Sequence, residues 1–452
     1  MFANIFFLFL ILLIIGSAPD SSTAVLFTND PRAAFGVALC IYLFLLGMIW
    51  TQNRLLKKNT TVASEHLGIL ANIELLTFFI ASNFILGVQR VFQSESLAPF
   101  NDTLFMTYTL GLYFWGLFVS HLASSSTQQL SHRYTKATSA LRYLLPFVLP
   151  FCILVFLGDF ISLIPYKQIK NSLGFDNFAW ADLLINLIMS CVALLATMIL
   201  LPPLLIVIWK CPHINDPVLE EKLEALCTRA HFRHAGLRIW TIVGNTLNAA
   251  IIGILGPFRY IIFTPTLLKR LSPNAIEAVL AHEIGHNKHR HLLIYPAILL
   301  GMLVSGWLII TFVFNFIIYS FNEDLINHPS PLWSSLVPLI SLIVFVITCA
   351  LYFRFIFGYF SRQFERQADL YIYNLKIPSQ DMIEALDEIA HAAGGIHKHP
   401  NWHHCSIQER IDFLKETQHD PALINQHHRK VRRSLIIYFL VLGLAIACLV
   451  LI

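Results

Sequence analysis

Two histidines and a glutamate stand in the run His282-Glu283-Ile284-Gly285-His286, and their types and spacing suit metal-assisted hydrolysis. Residues four apart on a helix share a face, so both imidazoles can reach one ion. A zinc ion there would lower the pKa of a bound water to about 7 and polarise a carbonyl. Glu283 is placed to take the water's proton and deliver it to a leaving amine. A catalytic zinc keeps three protein ligands and one open position. Glu365, in Ser361-Arg362-Gln363-Phe364-Glu365-Arg366-Gln367-Ala368-Asp369, is the candidate third ligand. Asp369, one turn later, is placed to orient a ligand imidazole. The bland alternatives are a solvated helix face at 282–286 and a solvated charge cluster at the end of an apolar span.

Elements able to position these groups can be read around them. Ser272-Pro273 supplies a cap and first residue for a helix running through Ala275, Val279 and Ala281 to His286. Asp216-Pro217 does the same for a helix whose Leu219, Leu223 and Leu226 recur at helical spacing. Between them, strands are expected at Leu237–Val243, Asn248–Leu255 and Arg259–Thr264, with a turn at Gly256-Pro257. The expectation is a small α+β zincin-like domain.

The rest of the chain is apolar. Of 452 residues, 56% are hydrophobic and 13% charged, against about 25% charged in a soluble domain. Runs of transmembrane length fall at about 2–16, 33–50, 67–89, 103–124, 143–164, 180–209, 292–319, 332–358 and 434–452. The fold class is therefore a mainly α polytopic membrane protein of about nine spans, carrying the metallopeptidase-like domain on its cytoplasmic side. Residues 1–209 form a membrane region of about six spans. Residues 210–433 form the polar domain, interrupted by a membrane hairpin at about 292–358, and 434–452 form the last span. The first run is short and lacks a basic start, which favours an anchor over a cleaved signal.

Short-loop charge sets the orientation. Arg54, Lys57 and Lys58 follow the second span, Arg133, Lys136 and Arg142 follow the fourth, and Arg429, Lys430, Arg432 and Arg433 precede the last. Glu323 and Asp324 occupy the loop after the seventh. This puts the N-terminus and both polar segments inside; Lys167 and Lys170, which would lie outside, run against it. A net charge of +4 gives no support to a nucleic-acid partner.

Together the motifs resemble the membrane zinc metallopeptidase family that includes the CAAX prenyl protease and the heat-shock protease HtpX. The resemblance covers about residues 210–430. It implies one catalytic Zn2+ on His282, His286 and Glu365, with Glu283 as general base and Asp369 as a supporting carboxylate. Asn248-Ala249 with Gly253 looks like the family's Asn-Ala strand, which borders the cleft and holds an extended substrate by strand addition. His404-Cys405-Ser406 with Glu409-Arg410-Ile411 resembles its His-Pro-Ser and Glu-Arg-Ile region, so His404 and Arg410 are expected to face substrate. Cys405 departs from the pattern, standing where the family has proline.

The implied activity is a zinc endopeptidase acting on membrane-associated proteins or peptides, either in quality control or in processing of lipidated peptides. The competing classes are a membrane sensor that uses the zincin domain to transmit a signal, and a transporter. The outer loops are short for a sensor's ligand domain, and Glu74 with Asp182 is a thin ionisable set for a transporter. A bacterial cytoplasmic membrane is expected, with the endoplasmic reticulum as the alternative; oligomeric state stays open. A flexible loop is favoured over a second metal site for His391, His397, His399, His403 and His404, with His427 and His428 later in the chain. A core position is favoured for Cys227 over a site with Cys211, His213, His231 and His234. His289 and His291 are expected as interfacial residues.

Overall fold

The computed structural model describes residues 2–16, 30–55, 61–93, 97–124, 129–163, 179–243, 246–320, 344–345, 347–392, 394–395 and 406–451. They fall into two compact units, Met1–Lys210 and Cys211–Ile452.

The first unit is helical: α1 Phe2–Gly16, α2 Pro31–Leu55, α3 Thr61–Ile80, α4 Asn101–Ser124, α5 Leu130–Ser162 and α6 Ala179–Ile208. Helix α4 packs against α2, α3 and α5. Tyr42, Leu75, Phe79, Tyr113, Leu117 and Leu144 are fully buried between the helices, while Phe44, Trp115 and Phe160 stay exposed on the outside. An apolar exterior is what hydrocarbon requires and what water would not tolerate over so large an area. One polar ladder ties three helices: the Tyr113 hydroxyl donates to Asn72 Oδ1 at 2.7 Å, and Asn72 Nδ2 donates to Asn4 Oδ1 at 2.9 Å.

The second unit begins with α7 Pro217–Arg229, capped by Asp216, whose Oδ1 accepts from the amides of Val218 and Leu219 at 3.1 Å each. A three-stranded sheet follows, β1 Gly236–Ile239, β2 Ala249–Ile252 and β3 Tyr260–Phe263, in the order β1-β3-β2. Strand β3 pairs parallel with β1 and antiparallel with β2, so β2 is an edge strand. The strands are shorter than expected. Gly253 takes φ 96° and turns the chain out of β2, and Thr241–Val243 tighten into a 3-10 turn after β1.

Helices α8 Pro265–Arg270, α9 Pro273–Lys288, α10 His291–Ser320, α11 Gly358–Asp369, α12 Tyr371–Asn374, α13 Ser379–Ala392, α14 Ile407–His419 and α15 Ala422–Leu451 complete the unit. Its core joins Leu223 and Leu226 of α7, Ile261 and Phe263 of β3, Leu280 and Ile284 of α9, Leu386 of α13 and Leu414 of α14. Helix α9 is the hub, packing against α11, α12 and α13 and against β2.

Among the described residues, five helical segments are long and apolar enough to cross a membrane: Pro31–Leu55, His66–Asn83, Asn101–Ser124, Leu130–Phe160 and His291–Val313. Two shorter apolar stretches lie at Phe7–Gly16 and Leu194–Ile208. The first part of the expected eighth span, 332–343, lies outside the described residues, as do Glu323, Asp324, Lys167 and Lys170.

Candidate active site

Helix α9 starts where the sequence provides a cap. Ser272 takes an extended conformation, its hydroxyl accepts from the amide of Ala275 at 3.2 Å, and Pro273 opens the first turn. Ile276, Leu280, Ala281 and Ile284 are buried in the core, which leaves the 282–286 face to meet α11. Glu365 and Asp369 project from α11 towards that face, four residues apart and both buried.

His282 Nε2 lies 3.2 Å from His286 Nε2 and 3.8 Å from Glu365 Oε2, and His286 Nε2 lies 3.5 Å from Glu365 Oε1. Two ligand atoms each about 2.1 Å from a tetrahedral zinc stand roughly 3.4 Å apart. The three groups thus already have the mutual spacing of ligands to one ion. Two imidazole nitrogens and a carboxylate oxygen form a donor set suited to zinc, with a fourth position left for water or substrate. Among the described residues this is the one group of three His, Cys, Asp or Glu side chains able to hold a metal ion.

A layer of charge supports the ligands. Asp369 Oδ1 lies 2.8 Å from His282 Nδ1, a close contact without good hydrogen-bond alignment. Arg410, from α14, donates to Asp369 through Nε at 2.8 Å and Nη2 at 2.6 Å, and its Nη1 lies 3.3 Å from Glu365 Oε2. Helix α14 is itself capped by Ser406, whose hydroxyl accepts from the Glu409 amide at 3.2 Å. The guanidinium expected to face substrate therefore bridges two carboxylates of the site.

Each group's protonation follows from these contacts. Burial opposes the ionised form of Asp369, but Arg410 outweighs it and holds the carboxyl below its ordinary value. Burial likewise opposes protonation of His282, and Asp369 outweighs it, so its pKa sits above the ordinary value. Burial takes His286 down to about 4, leaving it neutral as a ligand must be. Burial pushes the Glu283 carboxyl up to about 7, with His282 opposing and Glu365 adding to the rise. A bound cation lowers each of these values.

Asn248 and Ala249 lie at the start of edge strand β2. The Asn248 amide donates to Thr264 Oγ1 at 3.1 Å and its carbonyl accepts from the Thr264 amide at 2.9 Å. The Asn248 side chain is exposed and Ala249 is buried. His404, with His397, His399 and His403, lies outside the described residues. Cys227 is buried in the core of the second unit.

Three polar residues near the ligands, His291, Gln367 and His428, are not expected there from the sequence, and His428 stands in α15 rather than in a flexible loop. His291, expected at an interface, is fully buried, stacked on Phe364 with ring centroids 4.2 Å apart. Its Nδ1 lies 3.0 Å from His286 Nδ1, and Gln367 links it to His428. His291 falls five residues after His286, off the four-residue helical repeat. The chain turns between them, where Arg290 adopts φ 59° and α10 begins. The sole signal for it is a histidine at the very start of an apolar span.

Residues 213–418 match the model of Peptidase family M48. This match agrees with the resemblance carried by the motifs and supports a metalloprotease. No curated protein matches the chain. Among solved structures, the crystal structure of S. mikatae Ste24p is 19% identical, with 86% of this chain and 99% of that chain covered at a TM-score of 0.37. So loose a likeness carries no statement about this chain.

Proposed function

We propose that the protein is a membrane-embedded zinc endopeptidase. The observation that carries this reading is the convergence of His282, His286 and Glu365 at ligand spacing, with Glu283 beside them on α9. The three would hold one Zn2+, which when bound supplies Lewis acidity and an activated water. Glu283, half-buried with its carboxyl raised by burial, takes a proton from the attacking water and returns it to the leaving amine. Asp369 orients His282, and Arg410 fixes Asp369 and Glu365 in turn. The edge of β2 offers backbone groups on which an extended substrate can add a strand.

The helices long enough to span a bilayer favour substrates that are membrane-associated proteins or peptides. The basic residues flanking the spans support a site on the cytoplasmic side, with a bacterial cytoplasmic membrane as the proposed host and the endoplasmic reticulum as the second choice. His404 is proposed as a substrate contact from its motif alone. The test is to map new protein N-termini in membranes expressing wild type or Glu283→Gln. Products that vanish in the variant identify the substrates; an unchanged set of termini under several stresses refutes the peptidase assignment of Glu283. Scattered sites would mark quality control, and one or two sharp sites dedicated processing.

A further inference from the structure

We propose that His291, Gln367 and His428 are positioning residues whose hydrogen-bond chain locks His286 into the tautomer that can bind metal. The inference rests on the metal site of the preceding section. His291 Nε2 lies 3.1 Å from Gln367 Oε1, and Gln367 Nε2 lies 2.9 Å from His428 Nδ1. An amide oxygen only accepts and an amide nitrogen only donates. His291 must therefore carry its proton on Nε2, which leaves Nδ1 bare. That bare nitrogen lies 3.0 Å from His286 Nδ1, so His286 is the donor of the pair. A neutral His286 protonated on Nδ1 has its lone pair on Nε2, the atom that faces His282 Nε2 at 3.2 Å and Glu365 Oε1 at 3.5 Å.

Turning the Gln367 amide over reverses every link. Its nitrogen would then donate to His291 Nε2, His291 would donate from Nδ1, and His286 would carry its proton on Nε2, blocking the metal. The two orders are mutually exclusive, and metal binding selects the first. Burial keeps water from supplying substitute partners, since His291 and Gln367 are 0% and 8% exposed. The stacked Phe364 ring fixes the plane of His291. Partners of metal-bound histidines of this kind are typically worth 10- to 100-fold in metal affinity.

The experiment is zinc titration of the purified full-length protein against a competing chromophoric chelator, with thermal melting of the metal-free form as the folding control. His291→Leu removes the acceptor, whereas His291→Asn is close in size and can present an amide oxygen where Nδ1 stood. Likewise Gln367→Met removes the acceptor for His291, and Gln367→Glu keeps it. The expected result is a 10- to 100-fold loss of zinc affinity in the Leu and Met variants, with the Asn and Glu variants within a few-fold of wild type. Equal losses within each pair, or no loss in either, overturn the proposal, because packing alone would not separate a polar from an apolar replacement. A wild type that binds no zinc refutes the metal site itself, an outcome distinct from either.

Discussion

Gly285 and Ala368 meet backbone to backbone: a Cβ on Gly285 would stand 2.9 Å from the Ala368 carbonyl oxygen and 2.8 Å from the Cβ of Tyr371. The contact lies between His282 and His286 on α9 and between Glu365 and Asp369 on α11, so it sets the separation of the metal ligands. Gly285→Ala must push the two helices apart, and overpacking of this kind costs about 1–3 kcal/mol. We expect it to lower the melting temperature and weaken zinc binding together. Gly111→Ala, where nothing lies within 4 Å of an added Cβ, is the control and should do neither. Wild-type zinc affinity in Gly285→Ala would show that helix separation does not govern the site.

Arg410 and Asp369 form a two-point contact that lysine cannot reproduce, because a single ammonium lacks the planar fork. Asp369 is 1% exposed, and removing the partner of a buried charge costs about 3–5 kcal/mol. Arg410→Lys should therefore melt at a lower temperature and bind zinc more weakly, since Glu365 also loses its neighbour. A role confined to substrate would instead raise KM and leave metal binding and melting unchanged.

How much of this was open to the sequence divides along a physical line. The caps at Ser272-Pro273 and Asp216-Pro217, the helical repeat of 282 and 286, and the Glu365–Asp369 pair are local patterns, and local geometry makes them readable. The Gly285–Ala368 contact joins residues 83 positions apart by sequence number, and no periodicity announces it. His291 was hidden for a related reason: the turn at Arg290 starts a new helix, and the burial of its first residue depends on Phe364 and Gln367 of another. The strand ends were misjudged because β-branched residues continue past Ile239 and Ile252, while the backbone at Thr241–Val243 and Gly253 leaves the sheet.

Two buried cysteines of the polar domain, Cys211 and Cys227, give a chemical check on its packing. Burial pushes the Cys227 thiol up to about 12 and the Cys211 thiol up to about 11. Thiolate is the reactive form, and its fraction rises with pH, so at pH 8 no more than about one Cys211 in a thousand and one Cys227 in ten thousand is ionised. A water-soluble maleimide should leave both unmodified in the native protein and label both after denaturation. Rapid labelling of Cys227 at pH 8 would show that α7 is not packed on the core as described.

Metal removal separates the roles within the site. A strong chelator should abolish peptide cleavage, and added zinc should restore it. Glu283→Gln should retain zinc and lose about 100-fold or more in kcat, the range typical of a lost general acid–base group. His286→Ala and Glu365→Ala should lose the metal as well. Retained zinc with lost cleavage in all three variants would remove His286 and Glu365 from the ligand set.

The free edge of β2 makes a prediction about substrate. Strand addition draws its affinity from backbone hydrogen bonds, every second residue of the added strand turning its N–H and C=O towards β2. A peptide substrate methylated at single backbone nitrogens should therefore bind with a two-residue alternation: methylation at positions facing β2 raises KM, and methylation between them has little effect. Each lost bond should cost about 0.5–1.5 kcal/mol, or roughly 2- to 13-fold in affinity. A flat profile would mean that side-chain pockets alone seat the substrate and that the Asn248-Ala249 edge plays no part. An alternation that persists in a β2 variant carrying Ile251→Pro would assign the pairing to a different edge, because proline removes the amide through which that strand donates.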